Sequence, residues 1–392
     1  MNARERDRHE HAGPALLVES LEQVFPVGAS VTLDDLAADP HPVLARLRES
    51  EPVSWIPALN GWLVTSRELA LHVMREPFVY TVDDERFSTG RVVGPSMLTR
   101  DGDEHARHRD PFAEPLRLAA VRSRFSALVE AEVDSLIDEF APAGRVELRR
   151  SLAGPLSARV VAHLLGLQSA DTGAMLGWYD AIVASVTGVA AGMPPSEDGR
   201  AAFQALHDAV EPSLEVGGDL NRGEAVSNAA VMMFGGIETT EGMIANLVFH
   251  LLTNGEDAVE PNAVEESLRL EPAAAVVDRY ATQDVELAGA PIKRGDLVEV
   301  SLAGANRDPE FFRDPDRFDV HRENARQHVT FAHGPHVCIG MHLARLEALT
   351  AARRLFERLP GIRLDPERPT APRGLVFRKP PTLEVLWDAS PL

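Results

Sequence analysis

The chain predicts a mainly α fold with a small β region, and three observations carry that prediction. From Glu224 to about Leu252, the residues Val226, Ala230, Met233, Ile237, Ile244, Val248 and Leu251 recur at three-and-four spacing, the stripe of one long amphipathic helix. Further helical patterns fill 123–167, 170–186 and 197–214, whereas the strand patterns are short and few. The only cysteine in 392 residues, Cys338, stands where a Gly/Pro-rich loop runs into another helical pattern.

Composition bounds the rest. A hydrophobic share of 44% with 25% charged residues is ordinary for a globular chain. We expect residues 1–28 to form a flexible arm and 29–392 a single domain. One cysteine excludes internal disulfides and a cysteine-rich zinc site. The start is charged and polar, with no apolar signal core, and no segment reaches the ~18 apolar residues of a spanning helix. No membrane anchor and a cytoplasmic location are therefore expected. A net charge of -21 argues against nucleic acid and anionic membranes as general partners.

Taken in order, Leu33 to Arg48 reads as turn then helix, and Asn60 and Gly61 form the turn between strands Val53–Ile56 and Trp62–Thr65. Ser66 is an N-cap for the next helix. After an irregular stretch to Leu98, the run Asp101 to Arg109 places His105 and Arg109 on one helical face, with Arg107 and His108 in a solvated charged helix start. The helices over 170–186 and 197–214 are joined through Gly188, Gly192, Pro194 and Pro195, a Gly/Pro-rich connection. Gly235 and Gly236 sit in the middle of the long helix, where each costs roughly 1 kcal/mol against alanine. Such a pair needs room beside the backbone, for a packed neighbour or for a ligand, and Glu238 and Thr239 interrupt the apolar run just after it. Glu266 and Arg269 are three apart and can pair. Short strands surround Arg294, Gly295 and Asp296, and a last one covers Thr382 to Trp387.

Cys338 admits three uses. A helix start offers it a positive dipole end and unpaired N–H groups, which favour thiolate. The thiolate then serves as nucleophile, with His336 and His342 near in sequence, or as a soft metal ligand. The third use is that of a buried, inert residue.

The segment Phe331 to Gly340 has the form Phe-x-x-Gly-x-x-x-Cys-x-Gly, continued by Leu343, Ala344 and Arg345. It resembles the haem-binding loop of the cytochrome P450 family, the haem-thiolate monooxygenases, with Ala332 standing where that family usually carries glycine. The resemblance extends over nearly the whole chain. It includes a His-x-x-x-Arg at His105 and Arg109, a Gly-Gly-x-Glu-Thr at 235–239, and a Glu-x-x-Arg at Glu266 and Arg269. It implies the cytochrome P450 fold and haem b (iron protoporphyrin IX) with Cys338 as the iron ligand. Phe331 is then expected against the porphyrin, and His105, Arg109, Arg279 and His336 at its propionates. Glu238 and Thr239 form the acid–alcohol pair that delivers protons, with Gly235 and Gly236 making room for dioxygen. Arg317, with Arg322 as runner-up, completes the Glu266–Arg269 network. The implied reaction is insertion of one oxygen atom from O2 into a small, largely apolar organic substrate. Val92, Val93, Met233, Val276, Val277, Val376 and Phe377 are pocket candidates. Electrons are expected from NAD(P)H through a ferredoxin or flavodoxin and its reductase, docking on a basic patch of Arg107, Arg117, His342 and Arg345, with the chain a monomer. Desaturation, coupling or nitration by the same apparatus, and a non-catalytic haem-binding sensor, stand as alternatives. A peroxide-driven member is disfavoured by the acid–alcohol pair.

Overall fold

The computed structural model of the chain describes residues 21–388 apart from 168–170, 191–192 and 211–218. Short helical turns at Pro26–Ala29 and Leu33–Ala37 lead into helix α1, His41–Ser50. Packing begins earlier than the expected arm allows. Phe25 is buried with its ring edge-on to Trp62 at 5.2 Å, and the Gly28 N–H donates to the buried Glu51 carboxylate at 2.9 Å. Residues 1–20 of the arm lie outside the described residues.

Strands β1 (Val53–Ile56) and β2 (Gly61–Val64) pair antiparallel with Trp55 opposite Trp62. Asn60 takes the left-handed φ of 50° at the turn, a region asparagine tolerates. Ser66 caps helix α2 (Arg67–Arg75) by accepting from the Leu69 N–H. Then follow β3 (Tyr80–Thr81), α3 (Gly102–Ala113), α4 (Leu118–Phe140), β4 (Arg145–Glu147) and α5 (Gly154–Leu165). Helices α6 (Thr172–Ala190) and α7 (Glu197–Val210) form the expected pair. Parts of their connection, and of the link into the next helix, lie outside the described residues.

Helix α8 spans Arg222–Asn254, 33 residues, opened by a capping box in which Asn221 accepts from the Glu224 N–H and Glu224 from the Asn221 N–H. Most of its residues are buried, because helices pack on several sides of it and its stripe cannot stay one-sided. Helix α9 (Pro261–Leu270) precedes β5 (Val276–Ala281), the hairpin β6 (Val285–Leu287) with β7 (Ala290–Ile292), and β8 (Leu297–Ser301). Helix α10 (Met341–Arg358) and strands β9 (Arg363–Leu364) and β10 (Glu384–Leu386) close the chain. One sheet has the order β1-β2-β8-β5-β3, another β4-β10-β9. The main apolar core lies among α3 to α10, and a second one lines the larger sheet.

One expected contact is corrected. The buried Glu266–Arg269 pair (2.7 Å) takes its third charge from Arg322, whose Nε lies 3.0 Å from Glu266, and not from Arg317. Arg317 lends only its carbonyl, to Arg269 at 3.1 Å and Arg322 at 3.2 Å. The turn after Phe318 decides this: Asn262 bonds the Val320 and Arg322 carbonyls, and the Asp319 N–H donates to Glu266, which aims Arg322 inward. Among the described residues no helix is long and apolar enough to cross a membrane.

Candidate active site

The cysteine loop is a tight, backbone-determined structure. The Cys338 N–H donates to the Phe331 carbonyl at 2.8 Å, closing the loop over a helical turn at Gly334–His336. Gly334 has φ 76°, and a Cβ there would lie 2.4 Å from the Met74 carbonyl oxygen in α2, so only glycine fits. Ala332 takes φ 58°, the left-handed region, at a cost of roughly 1–2 kcal/mol for a residue with a Cβ. The N–H groups of Gly340 and Met341, at the start of α10, point at the Cys338 sulfur. Arg109 and Arg345 add positive charge.

The sulfur is accessible, yet enough protein surrounds it that burial pushes its pKa up against those donors and cations. The expected preference for thiolate is therefore reversed in the chain by itself. The positive charge of a bound metal ion would offset that burial and stabilise the thiolate. Phe331 is half-buried, with the Arg345 guanidinium over its ring at 4.4 Å and the His328 ring at 5.8 Å.

Helix α3, the loop and β5 bring four predicted residues to one place. His105 and His336 lie ring to ring at 4.3 Å. The His336 Nε2 is 2.7 Å from Asp101, which also accepts from the Thr81 hydroxyl and the Val82 N–H. Arg109 donates to the Val337 carbonyl at 2.7 Å, linking α3 directly to the residue before Cys338. Arg279 is nearly fully buried, and among the described residues its guanidinium has one hydrogen bond, to the Asp278 carbonyl at 2.7 Å. His105 is buried, and its Nε2 has no hydrogen-bond partner. Desolvation first, then His336 and Arg109, lower its pKa to about 4, so it is a neutral imidazole at neutral pH. Two neighbours depart from expectation: His108 is fully buried, 2.8 Å from Asn228 of α8, and Arg107 is clamped by Glu104 and Glu224.

In α8 the two central glycines differ. A Cβ on Gly235 would meet nothing within 4 Å, whereas one on Gly236 would lie 2.7 Å from Val161 of α5. Gly235 thus borders open space, and Gly236 is a helix-packing contact. The Thr239 hydroxyl donates to the Gly235 carbonyl at 2.5 Å. Glu238 is buried and paired with Lys379 at 2.8 Å. Phe377 lies edge-on to Phe234 at 5.5 Å, and Val93 and Met233 are buried.

Three residues escaped the sequence reading of the site: Asp101, Lys379, and Arg345 as a stacking partner of Phe331. Asp101 and Lys379 have partners more than 130 positions away, and no local pattern marks them.

This set fits haem. A lone sulfur ringed by backbone donors suits one axial bond to iron. Among the described residues the buried Arg279 guanidinium makes no ion pair, although Asp101 and Asp278 act on it at longer range, and the buried His105 Nε2 has no hydrogen-bond partner; both suit anions of the propionate kind. Open space beside Gly235 leaves room on the α8 side.

Comparison with known proteins agrees. The Cytochrome P450 family model matches residues 261–385. The chain is 35% identical over 385 residues to cytochrome P450 monooxygenase PikC of Streptomyces venezuelae, covering 90% of each chain. It is 32% identical to mycinamicin IV hydroxylase/epoxidase of Micromonospora griseorubida, over 87% of this chain and 94% of that one. Among solved structures, CalO2 superposes with a TM-score of 0.79 at 27% identity, covering 91% of this chain and 99% of the other. The loop, the α8 motif and these similarities have one conclusion: the chain belongs to the cytochrome P450 family of haem-thiolate monooxygenases that use dioxygen.

Proposed function

We propose that the protein inserts one oxygen atom from O2 into a small, largely apolar secondary metabolite. The observation that carries this is the join between open space at Gly235, the Thr239 hydroxyl and buried Glu238, on the helix that packs against α10 behind the cysteine loop. Cys338 would ligate the iron of haem b. Arg279, Arg109, His105 and His336 would hold the propionates, and Phe331 would lie along the ring. Bound haem supplies the capacity to bind and reduce O2. The chain's own residues orient the substrate and manage protons. Glu238 carries them inward and Thr239 hands them on from its hydroxyl, a general-acid role. An acid–alcohol pair placed beside space favours turnover over a passive sensor. The names of two relatives, a hydroxylase/epoxidase and a pentalenic acid synthase, support substrates of natural-product size and character.

Electrons would come from NAD(P)H through a separate ferredoxin or flavodoxin and its reductase, in the cytoplasm, to a monomeric enzyme. The docking patch needs revision. Arg107 is neutralised by Glu104 and Glu224, and Arg345 by Glu265 at 2.8 Å. Arg117, the N-cap of α4, and Arg122 within it are exposed and make no ion pair among the described residues, and Arg122 acts on His342 at the start of α10. They are the better anchors.

The test is spectroscopic and chemical. Ferrous enzyme with carbon monoxide should show the red-shifted band of thiolate ligation, and Cys338→His should abolish it. Thr239→Ala should keep that band while sending most reducing equivalents to hydrogen peroxide. A globin-like band in the unaltered protein would refute the assignment.

A further inference from the structure

Of the four residues read as propionate holders, His336 is the one with a carboxylate at hydrogen-bond distance among the described residues. Its Nε2 lies 2.7 Å from Asp101, 235 positions away in sequence. Arg109 and Arg279 are held by backbone carbonyls, and the His105 Nε2 has no partner. The contact is largely shielded, with side-chain exposures of 7% for His336 and 14% for Asp101. A carboxylate only accepts, so the Nε2 carries the proton, and among the described residues Nδ1 makes no hydrogen bond.

Asp101 reaches that ring by giving up its own helix. It is the residue before α3, where an aspartate ordinarily accepts from the first N–H groups of the helix, yet its side chain makes no such bond. Gly102 explains the departure. Its φ of 61° is left-handed, and a Cβ there would meet nothing within 4 Å, so backbone conformation and not lack of room requires glycine. The carboxylate is fixed from the other side. One oxygen accepts from the Thr81 hydroxyl at 2.6 Å and the Val82 N–H at 2.9 Å, which leaves the second to His336. Thr81 in turn pairs with Tyr280 of β5, the strand that bears Arg279. Burial works against the charge of Asp101, but the bonds from His336, Thr81 and Val82 outweigh it and keep its pKa below the usual carboxylate value.

We propose that Asp101 is a positioning residue for the cofactor: turned away from α3 at Gly102 and braced on β3, it sets the His336 ring so that Nδ1 is the nitrogen left for a propionate. This rests on the reading of His336 as a propionate holder, and Asp101 acts through that ring. One carboxylate then relates the cysteine loop, the start of α3 and, through β3, the strand of Arg279. Without it the ring rests against the His105 ring at 4.3 Å between centroids, a contact that does not choose between its two nitrogens.

Transfer of haem from the holoenzyme to excess apomyoglobin tests this as a double-mutant cycle. Asp101→Ala should speed transfer about tenfold, as loss of an outer partner of a ligand does. In the His336→Ala background, where transfer is already faster, the same change should add less than about twofold. Gly102→Ala should follow the same pattern at smaller size, because it returns the aspartate to the helix end. Multiplicative effects of Asp101→Ala and His336→Ala overturn the proposal, since a role in the fold alone does not pass through the ring. A second measurement uses the unaltered protein. With 15N-labelled histidine in the diamagnetic ferrous carbon monoxide form, the His336 Nε2–H, assigned by its loss in His336→Gln, should give a proton signal protected from exchange with water. Absence of that signal overturns the proposal without relying on the stability of any Asp101 variant. If His336→Ala leaves haem transfer unchanged, the reading of His336 as a propionate holder fails instead.

Discussion

At the scale of single residues, the cysteine loop contains one strained position and one obligatory one. Ala332 holds φ 58° with a Cβ, and Gly334 holds φ 76° with the Met74 carbonyl against it. Ala332→Gly should relieve left-handed strain, less the greater flexibility glycine gives the unfolded chain, for a net gain of about 0.5–1 kcal/mol. In a chain of this size that raises the melting temperature by about 1 °C, measurable by calorimetry. Gly334→Ala should instead abolish haem retention, because the clashing atom is backbone. Sequence showed the departure at Ala332 but not its sign of strain, which only the φ angle gives. Cys338, His105, Arg109, His336 and Phe331 were legible as candidates because each sits in a motif of fixed spacing, and Arg279 by its position in the strand that follows the Glu-x-x-Arg helix. Sequence could not show Lys379, whose partner lies 141 positions earlier.

Elements are held in register by buried charges, and these divide into locks and like-charge contacts. Arg322 closes the Glu266–Arg269 lock between α9 and the turn before the cysteine loop. Arg322→Ala should cost about 3–5 kcal/mol, the consequence of leaving a buried carboxylate short of a partner, while Arg317→Ala should change stability little, since a backbone carbonyl survives the substitution. Denaturant unfolding of the two variants separates them. Spacing alone made either arginine eligible, and the choice was set by a turn whose hydrogen bonds come from α9.

The opposite case is the pair Asp278 and Glu299, directly across from each other on β5 and β8. Burial and the facing carboxylate push the pKa of Glu299 up to about 8, and burial raises that of Asp278. A carboxyl whose folded pKa lies above its unfolded value binds more protons in the folded state. Its contribution is therefore complete below the unfolded value near 4.5 and is lost as pH rises through about 8. Unfolding free energy should decline over that window, and Glu299→Gln should flatten the decline and add about 0.5–1 kcal/mol at pH 8, as removal of facing like charges does.

For the whole molecule, charge decides how partners approach. With a net charge of -21, an acidic electron carrier is repelled except where cations are free. Arg117→Glu and Arg122→Glu should each slow the first electron transfer several-fold at low salt, with the difference fading as exposed charges are screened beyond ~10 Å at 0.1 M. Stopped-flow reduction at graded ionic strength measures this, and the substrate-binding spectrum should not change. Arg107→Glu should act differently, lowering stability at any salt concentration, because it sets a third carboxylate against Glu104 and Glu224.

That clamp has a mechanical meaning. Arg107 and His108 grip Glu224 and Asn228 in the first turns of α8, while His105 and Arg109, on the same short helix, face the cysteine loop. Glu224 is also half of the capping box that starts α8. Helix α8 therefore starts at a joint bolted to the helix that faces the cysteine loop. The same short helix meets the cysteine loop on its other face, so a displacement of the start of α8 pulls against α3. Both faces share one pin, so loosening the grip on α8 is felt at the loop.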